Sequence, residues 1–148
     1  MIVDAEADES VASDTDRQTI LIVDDESSVR LLVRTVLALD DYTIVEAVDG
    51  EEGWLLCQQL QPAVVVLDVN MPKRNGIDLA RAIKDSPALH RTRIIFLTGF
   101  MHPVDISEGR RAGADLYLAK PFSPMVLRAA IAQTLQHYLA DPPDDSAG

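Results

Sequence analysis

Acidic, hydroxyl and basic side chains follow four short apolar runs of this chain, each at the point where the run ends. Such runs are typical of strands buried on both faces of a sheet. The side chains that follow them are Asp24 and Asp25, Asp68, Thr98, and Lys120. If the strands are parallel, these groups meet at the carboxyl edge of one sheet, where open α/β sheets bind their ligands. Clustered carboxylates suit a hard divalent cation, and Mg²⁺ is favoured because it takes few carboxylates and keeps waters for a phosphate.

Asp68 is the most informative of these residues. It ends the apolar run of residues 64–67, and the chain breaks shortly afterwards at Met71-Pro72. Burying a carboxylate without a partner is expensive, so an acid at this position needs a reason. Each of the other residues, taken alone, has an ordinary explanation as a strand end, a helix cap or a solvated side chain. The constellation as a whole therefore indicates a function, and no single motif does so.

Apolar runs alternate with helical patterns throughout residues 18–140. The predicted strands are 19–23, 43–47, 63–67, 93–97 and 115–118. The predicted helices are 27–39, 51–60, 77–84, 102–112 and 123–139. Five consecutive strand–helix units predict a parallel sheet with helices on both faces, and right-handed crossovers leave few topologies open. We expect the fourth helix to be weak, because Gly109 costs about 1 kcal/mol relative to alanine.

Three local features complete this prediction of the elements. We expect Asp25 or Ser27 to cap the first helix and Ser123 to cap the last, since their side chains accept hydrogen bonds from free amides. Trp54 and Leu55 are predicted to face inward from the second helix. Each of these expectations depends on the helix boundaries given above.

Composition and charge limit the possible functions. The 148 residues fit one domain, and the formal net charge is −11. Residues 1–17 and 141–148 together carry −8, which leaves −3 for residues 18–140. We expect the two acidic tails to be disordered, because they contain few large apolar groups. An acidic chain without basic clusters is a poor candidate for direct binding to nucleic acid.

The sequence also predicts a cellular location. It contains no apolar run of about 20 residues, the length that a membrane span requires. The acidic N-terminus does not resemble a signal peptide. The single cysteine, Cys57, agrees with a reducing compartment. We therefore expect a cytoplasmic protein with no membrane contact. The few residues beyond the last predicted helix also lead us to expect no second folded domain.

The constellation resembles the receiver domain of bacterial two-component response regulators. The motifs that carry the resemblance are Asp24-Asp25, Asp68 with Asn70-Met71-Pro72, Thr98, and Lys120-Pro121-Phe122. Each motif is weak alone, but their order and their places at strand ends make the set specific. The resemblance covers about residues 18–140. It implies a single-domain response regulator with a flavodoxin-like, doubly wound (βα)5 fold and the strand order 2-1-3-4-5.

The resemblance also implies a role for each site residue. Asp68 is the expected nucleophile, which attacks a phosphoryl group to form an aspartyl phosphate. Lys120 supplies positive charge, and Thr98 supplies a hydroxyl to a phosphate oxygen. The implied ligands of Mg²⁺, or of Mn²⁺ in its place, are Asp24, Asp25, Asp68 and the backbone carbonyl of Asn70. The Lys120–Pro121 peptide bond is expected to be cis.

The expected output is a change in protein–protein binding. In this family the phosphate draws the threonine toward it, here Thr98, and an aromatic residue moves into the vacated space, here Tyr117. A sensor histidine kinase or a histidine phosphotransfer protein is the expected donor. The downstream protein is expected on the face formed by helix four, strand five and helix five. We expect a monomer or a weak, phosphorylation-dependent dimer.

Two other classes of function remain open at this point. A Mg²⁺-dependent phosphohydrolase also uses an aspartyl phosphate, but it would need an acid two residues after the nucleophile, where this chain has Asn70. A receiver-like module that binds partners without phosphorylation usually lacks one of the acids or the lysine, and all are present here. We therefore predict a phosphoacceptor that catalyses only its own phosphorylation and dephosphorylation.

Overall fold

The fold is an alternation of five strands and five helices. A computed structural model describes residues 17–71, 75–99 and 103–141, and for residues 103–106 only the backbone. The strands are β1 (Gln18–Val23), β2 (Tyr42–Ala47), β3 (Val64–Asp68), β4 (Arg93–Thr98) and β5 (Leu116–Ala119). The helices are α1 (Ser27–Leu37), α2 (Gly50–Leu60), α3 (Gly76–Asp85), α4 (Pro103–Ala112) and α5 (Pro124–Ala140).

The strands form one parallel sheet in the order β2-β1-β3-β4-β5. This order confirms the flavodoxin-like fold that the resemblance implied. Because every connection is a helical crossover, helices cover both faces of the central strands. This explains why β1, β3 and β4 consist largely of continuous apolar runs. All five residues of β3 are buried, including its last residue, Asp68.

Two apolar layers lie on opposite faces of the sheet. The first contains α1 and α5, whose buried residues include Val33, Leu37 and Ile131. The second contains α2, α3 and α4, with Leu79 and Phe96 among its buried residues. Successive strand residues point to opposite faces, so each central strand contributes to both layers. The central strands are therefore fixed by packing from both sides.

Two of the local predictions are wrong. Leu55 is 58% exposed, because α2 turns toward the sheet through Gly53 and Cys57, so the leucine lies on the outer side. Neither Asp25 nor Ser27 caps α1. Its N-cap residue is Glu26, whose side chain makes no capping hydrogen bond. The amide of Glu26 donates instead to Asp24 Oδ1, at 2.9 Å.

The cap of α5 is as predicted, and its far end is held by arginines. The Ser123 side chain accepts from the amide of Val126 at 3.0 Å. At the other end, Arg91 Nε donates to the carbonyl of Asp141 at 2.7 Å, and Arg93 lies 2.9 Å from the Asp141 carboxylate. Asp141, which the sequence placed in a tail, thus contacts the domain.

Residues 1–16 and 142–148 lie outside the described residues, and so do the disorder predictions made for them. Among the helices that the structure describes, none combines the length and the apolar character needed to cross a membrane.

The difference between buried and exposed leucines gives a test of the packing. Leu21 is fully buried in β1, whereas Leu55 is largely exposed. We expect Leu21→Ala to lower the free energy of unfolding by about 2–5 kcal/mol, because it removes buried methyl groups and leaves a cavity. Leu55→Ala is the matched control and should change stability by less than about 0.5 kcal/mol. Urea denaturation measures both, and similar losses would contradict the orientation of α2.

Candidate functional site

The register of the sheet brings the predicted side chains to one edge. Asp68 at the end of β3 pairs with Leu97 of β4. Thr98, the last residue of β4, pairs with Ala119 of β5. The amide of Lys120 then donates to the carbonyl of Thr98 at 2.8 Å. The predicted site residues on β3, β4 and β5 are therefore neighbours at the carboxyl edge, as their positions after strands required.

Three carboxylates form the acidic part of this edge. Asp24, Asp25 and Asp68 each offer an oxygen, and these oxygens lie within 4.8 Å of one another. Asp24 and Asp68 are buried, whereas Asp25 is exposed. The cluster is therefore buried at Asp24 and Asp68 and open to solvent at Asp25.

The ammonium of Lys120 lies among the acids. Its Nζ is 2.9 Å from Asp24 Oδ2 and 3.4 Å from Asp68 Oδ2. It also lies 3.2 Å from Glu26 Oε1, a contact that sequence reasoning missed. The only available signal was the position of Glu26 directly after the Asp24-Asp25 pair. One ammonium therefore faces three carboxylates at once.

Backbone amides fix the two buried carboxylates. Asp24 Oδ1 accepts from the amide of Glu26 at 2.9 Å, and Asp68 Oδ1 accepts from the amide of Asn70 at 3.1 Å. Each acid thus bonds to the amide two residues after it, in a turn that the chain makes as it leaves the strand. These bonds leave the Oδ2 atoms to face Lys120.

The crowding of charge shifts two pKa values. The pKa of Asp68 is raised from its usual range to about 6, first by burial and then by the negative charge of Asp24. The amide of Asn70 and the charge of Lys120 oppose this shift. Burial disfavours the ammonium of Lys120, but Asp24, Asp68 and Glu26 outweigh burial and raise the pKa of Lys120 above its ordinary value. The lysine is therefore charged at neutral pH.

The remaining predicted residues occupy the same edge or lie near it. Asn70 is exposed two residues after Asp68, and its backbone bends back toward the carboxylate. Thr98 is buried, with 5% of its surface exposed. The Lys120–Pro121 peptide bond is cis, which is the isomer that the resemblance implies. Pro72 lies outside the described residues.

Gly76 supports the loop that follows Asp68, and sequence reasoning gave it no such role. A Cβ atom at Gly76 would overlap the carbonyl of Asp68 and lie 2.8 Å from the Cα of Val69. The amide of Gly76 donates to the carbonyl of Val69 at 2.9 Å. The start of α3 thus packs directly on the backbone that carries the buried acid, and a glycine is required for that approach.

Arg30 holds the loop that carries Asp24. Its Nη1 donates to the carbonyl of Asp24 at 2.7 Å, and its Nε donates to Glu46 Oε1 at 3.1 Å. Arg34, one turn later on α1, bonds the other oxygen of Glu46 and the carbonyl of Ile44, with no bond to Asp24. Of these two arginines, Arg30 is the one that ties the acidic loop to β2.

Comparison with known proteins identifies the family of this chain. The family profile described as "Response regulator receiver domain" matches residues 20–132. The chain is 42% identical over 121 residues to the "Probable transcriptional regulator ycf27" of Guillardia theta, covering 81% of this chain and 46% of that protein. It is 34% identical over 123 residues to the "DNA-binding response regulator MtrA" of Mycobacterium bovis, covering 83% and 53%.

A solved structure has the same fold. The chemotaxis protein CheY4 of Vibrio cholerae superposes with a TM-score of 0.76 at 31% identity, covering 80% of this chain and 98% of that one. An acidic pocket with a lysine at the edge of such a sheet defines a class of phosphoacceptor signalling domains. The chain belongs to the response regulator receiver domain family. Phosphorylation and Mg²⁺ binding are features of this family, and its members interact with histidine kinases and downstream targets. The chain spans about half the length of the curated relatives that it matches.

The donor set fits a divalent cation. Asp24, Asp25 and Asp68 offer hard oxygen ligands, and the exposure of Asp25 leaves room for waters. Lys120 faces the carboxylates of Asp24, Glu26 and Asp68, and Asp25 adds a fourth acid to the cluster, so this edge has a surplus of negative charge. After burial, the charge of Asp24 is the second cause of the raised pKa of Asp68. Mg²⁺ would relieve the surplus of charge.

The crowding predicts that Asp68 destabilises the fold. In buffer at pH 7 without divalent cations, we expect Asp68→Asn to raise the free energy of unfolding by about 1–3 kcal/mol, since one pKa unit corresponds to about 1.4 kcal/mol. The pKa is higher in the folded chain than the usual 3.8, so the cost of the ionised group grows between pH 3.8 and about 6 and is complete above that. The gain should therefore disappear as the pH falls toward 4. Urea denaturation at pH 7.5 and pH 4 measures it, and an equal gain at both values would contradict this explanation.

The Arg30 contact predicts a selective effect on metal affinity. We expect Arg30→Gln to weaken Mg²⁺ binding by about tenfold, because residues that orient metal ligands typically contribute that much or more. Arg34→Gln is the matched control, since it also loses a bond to Glu46 but none to Asp24. Isothermal titration with Mg²⁺ measures both. Removing a nearby positive charge would by itself strengthen cation binding, so tighter binding by Arg30→Gln would show that Arg30 does not position Asp24.

Proposed function

We propose that this domain accepts a phosphoryl group on Asp68 from a histidine kinase or a histidine phosphotransfer protein. The observation that carries the proposal is the position of the Lys120 ammonium, 2.9 Å from Asp24 and 3.4 Å from Asp68. A buried carboxylate with a cation beside it and two further acids nearby suits a nucleophile whose product is an anion. The similarity to receiver domains supports the same role.

Phosphoryl transfer needs positioning and neutralisation of charge more than covalent help. A carboxylate oxygen of Asp68 attacks the phosphorus, and the bond from phosphorus to the donor's imidazole nitrogen breaks, with the electron pair leaving on that nitrogen. Asp68 Oδ1 is held by the amide of Asn70, so its carboxylate has a fixed direction. Lys120 moves its hydrogen bonds from the acids to the new phosphoryl oxygens. Thr98 donates its hydroxyl to another of them.

Four oxygens are proposed as ligands of the cation. They come from the side chains of Asp24, Asp25 and Asp68 and from the backbone carbonyl of Asn70. When bound, Mg²⁺ supplies positive charge to the phosphoryl oxygens, and Mn²⁺ can replace it because it accepts the same oxygen ligands. The chain itself holds Asp24 through the Glu26 amide and the Arg30 guanidinium, so the ligand is oriented in advance.

We propose Thr98 and Tyr117 as the switch. Thr98 is buried on β4, and Tyr117 is a half-buried residue of the neighbouring strand β5. The phosphoryl group draws the threonine hydroxyl toward itself, and the Tyr117 ring takes up the space that is released. The phosphoryl group thus biases an element with two arrangements, as a conformational switch requires.

The proposed output surface is the face formed by α4, β5 and α5. Arg110 and Arg111 are exposed on α4. These basic side chains suit a downstream protein with an acidic surface. A cytoplasmic location, and a monomer or a weak phosphorylation-dependent dimer, stay predictions.

Intact mass spectrometry tests the phosphoacceptor directly. After incubation with Mg²⁺ and acetyl phosphate, we expect the wild type to gain one phosphoryl group. Asp68→Asn should gain none, because the nucleophile is gone, and a chelator should prevent the gain in the wild type. Asp85→Asn, which changes an exposed acid at the end of α3, is the control and should be modified normally.

Other results would favour the other two classes. Sustained release of phosphate from an ester, beyond one equivalent per chain, would indicate a phosphohydrolase. If neither acetyl phosphate nor a phosphorylated histidine kinase modified the wild type, and partner binding were unaffected by Asp68→Asn, the domain would be a binding module that carries no phosphate.

A further inference from the structure

A glycine in α4 lies directly over the aromatic ring of the proposed switch. Gly109 is buried, and a Cβ atom built on it would overlap the hydroxyl of Tyr117. The same Cβ would lie 2.6 Å from Cζ of the tyrosine and 2.9 Å from Cε2 of Phe96. These separations are all under 3.0 Å, a distance that real Cβ atoms essentially never show to heavy atoms outside their own residue and its neighbours. No other residue type fits at this position while the ring stays where it is.

Phe96 also borders the space that the end of the Tyr117 ring occupies beside Gly109. It is fully buried in β4 and pairs in register with Tyr117 of β5. The two ring centroids are 5.6 Å apart, and the planes are inclined at 53°, a tilted arrangement that aromatic pairs favour. We call the space beside Gly109 and Phe96, which the hydroxyl end of the Tyr117 ring enters, the tyrosine slot. Because Phe96 is fixed by the core, the slot can widen only if α4 moves.

The local sequence gives no reason for a glycine at position 109. Glycine is the poorest helix former after proline, and Gly109 lies inside α4 rather than at its end. It therefore weakens the helix, and the tertiary contact with Tyr117 is what requires it. Two explanations are then distinct: the glycine makes α4 easy to deform, or it makes room for the ring. They predict different behaviour when the ring is removed.

We propose that Gly109 is the positioning residue of the switch, because it opens the slot that lets α4 close over the Tyr117 ring and so makes the helix and the ring move together. The proposal rests on the proposed role of Tyr117. With a side chain at position 109, the ring and the helix exclude one another. The position of α4, and so its surface, therefore depends on whether the ring is in the slot. This dependence requires no contact between α4 and the phosphoryl group.

A double-mutant cycle tests the slot without any phosphorylation. The four proteins are the wild type, Gly109→Ala, Tyr117→Ala and the double variant. In the presence of the ring, Gly109→Ala should lower the urea midpoint of unfolding. In the Tyr117→Ala background the same change should lower it much less, because the overlap with the tyrosine is gone, alanine is the better helix former, and the 2.9 Å contact with Phe96 Cε2 remains. Ser107→Ala, at an exposed position of the same helix, is the control and should have the same effect in both backgrounds.

The position of the ring is measured separately. The chain has three tyrosines, so 3-fluorotyrosine labelling gives three ¹⁹F signals, and Tyr117→Phe assigns the one of interest. In Gly109→Ala we expect the Tyr117 signal to show a larger H₂O/D₂O solvent shift, as for an exposed ring. If the single variant does not fold, the double variant still decides the question, since it should fold and lose little stability relative to Tyr117→Ala.

The link to phosphorylation has its own measurement. If the phosphoryl group favours the ring in the slot, a blocked slot must by reciprocity disfavour the phosphoryl group. We expect Gly109→Ala to bind beryllofluoride, a stable analogue of the phosphoryl group, several times more weakly than the wild type in the presence of Mg²⁺, and the difference to shrink in the Tyr117→Ala background.

Each failure has a separate meaning. If alanine at position 109 has the same effect on stability with and without the ring, the slot proposal is wrong and Gly109 acts through helix flexibility. If alanine changes the affinity for beryllofluoride equally in both backgrounds, the coupling through Tyr117 is also wrong. If the wild type accepts no phosphoryl group at all, the proposed function fails, and the stability cycle still tests the slot.

Discussion

Repulsion between carboxylates at the carboxyl edge of the sheet is the constraint on which this structure depends. Asp24 and Asp68 are buried close to one another, and Lys120 is the cation that lies between them. Such a group of charges is unfavourable unless each member is held by fixed partners. The partners are backbone amides and a lysine that directly follow the ends of parallel strands, at the same edge of the sheet. A parallel sheet is suited to this arrangement because its strands all end on the same side.

The strands that carry the acids are more deeply buried than β5, which belongs to the proposed output surface. β3 is buried along its whole length, and the last four residues of β1 are buried. In β5, by contrast, Leu118 is the one buried residue, and 8% of its surface is still exposed. Elements with few buried contacts rearrange at lower cost than the core. Asp68 therefore lies on the fixed side of the site, and Lys120 and Tyr117 lie on the less buried side.

Much of this structure could be predicted from the sequence, for identifiable reasons. The apolar runs fixed the strands, and the polar residue after each run located the edge at which Asp68, Thr98 and Lys120 lie. The strand order itself came from the resemblance to a family. Leu55 was misplaced because Trp54, Leu55 and Leu56 are all apolar, and only the rotation of the helix against the sheet decides which of them faces inward. The bond from Arg30 to a backbone carbonyl leaves no pattern in the sequence. Gly109 was interpreted as a weak point in a helix, since its tertiary contact with Tyr117 cannot be recognised from neighbours in the chain.

The geometry of β4 explains why a movement of Thr98 can reach the surface of α4 without passing through the sheet. Phe96 and Thr98 are two residues apart on one strand, so their side chains point to the same face. Phe96 belongs to the apolar layer beneath α2, α3 and α4, and the Tyr117 ring packs against that layer too. Movement of Thr98 toward a phosphoryl group, exchange of space with the ring, and displacement of α4 would all take place on one face. The opposite layer, with α1 and α5 packed on β1 and β3, can keep its packing while this happens.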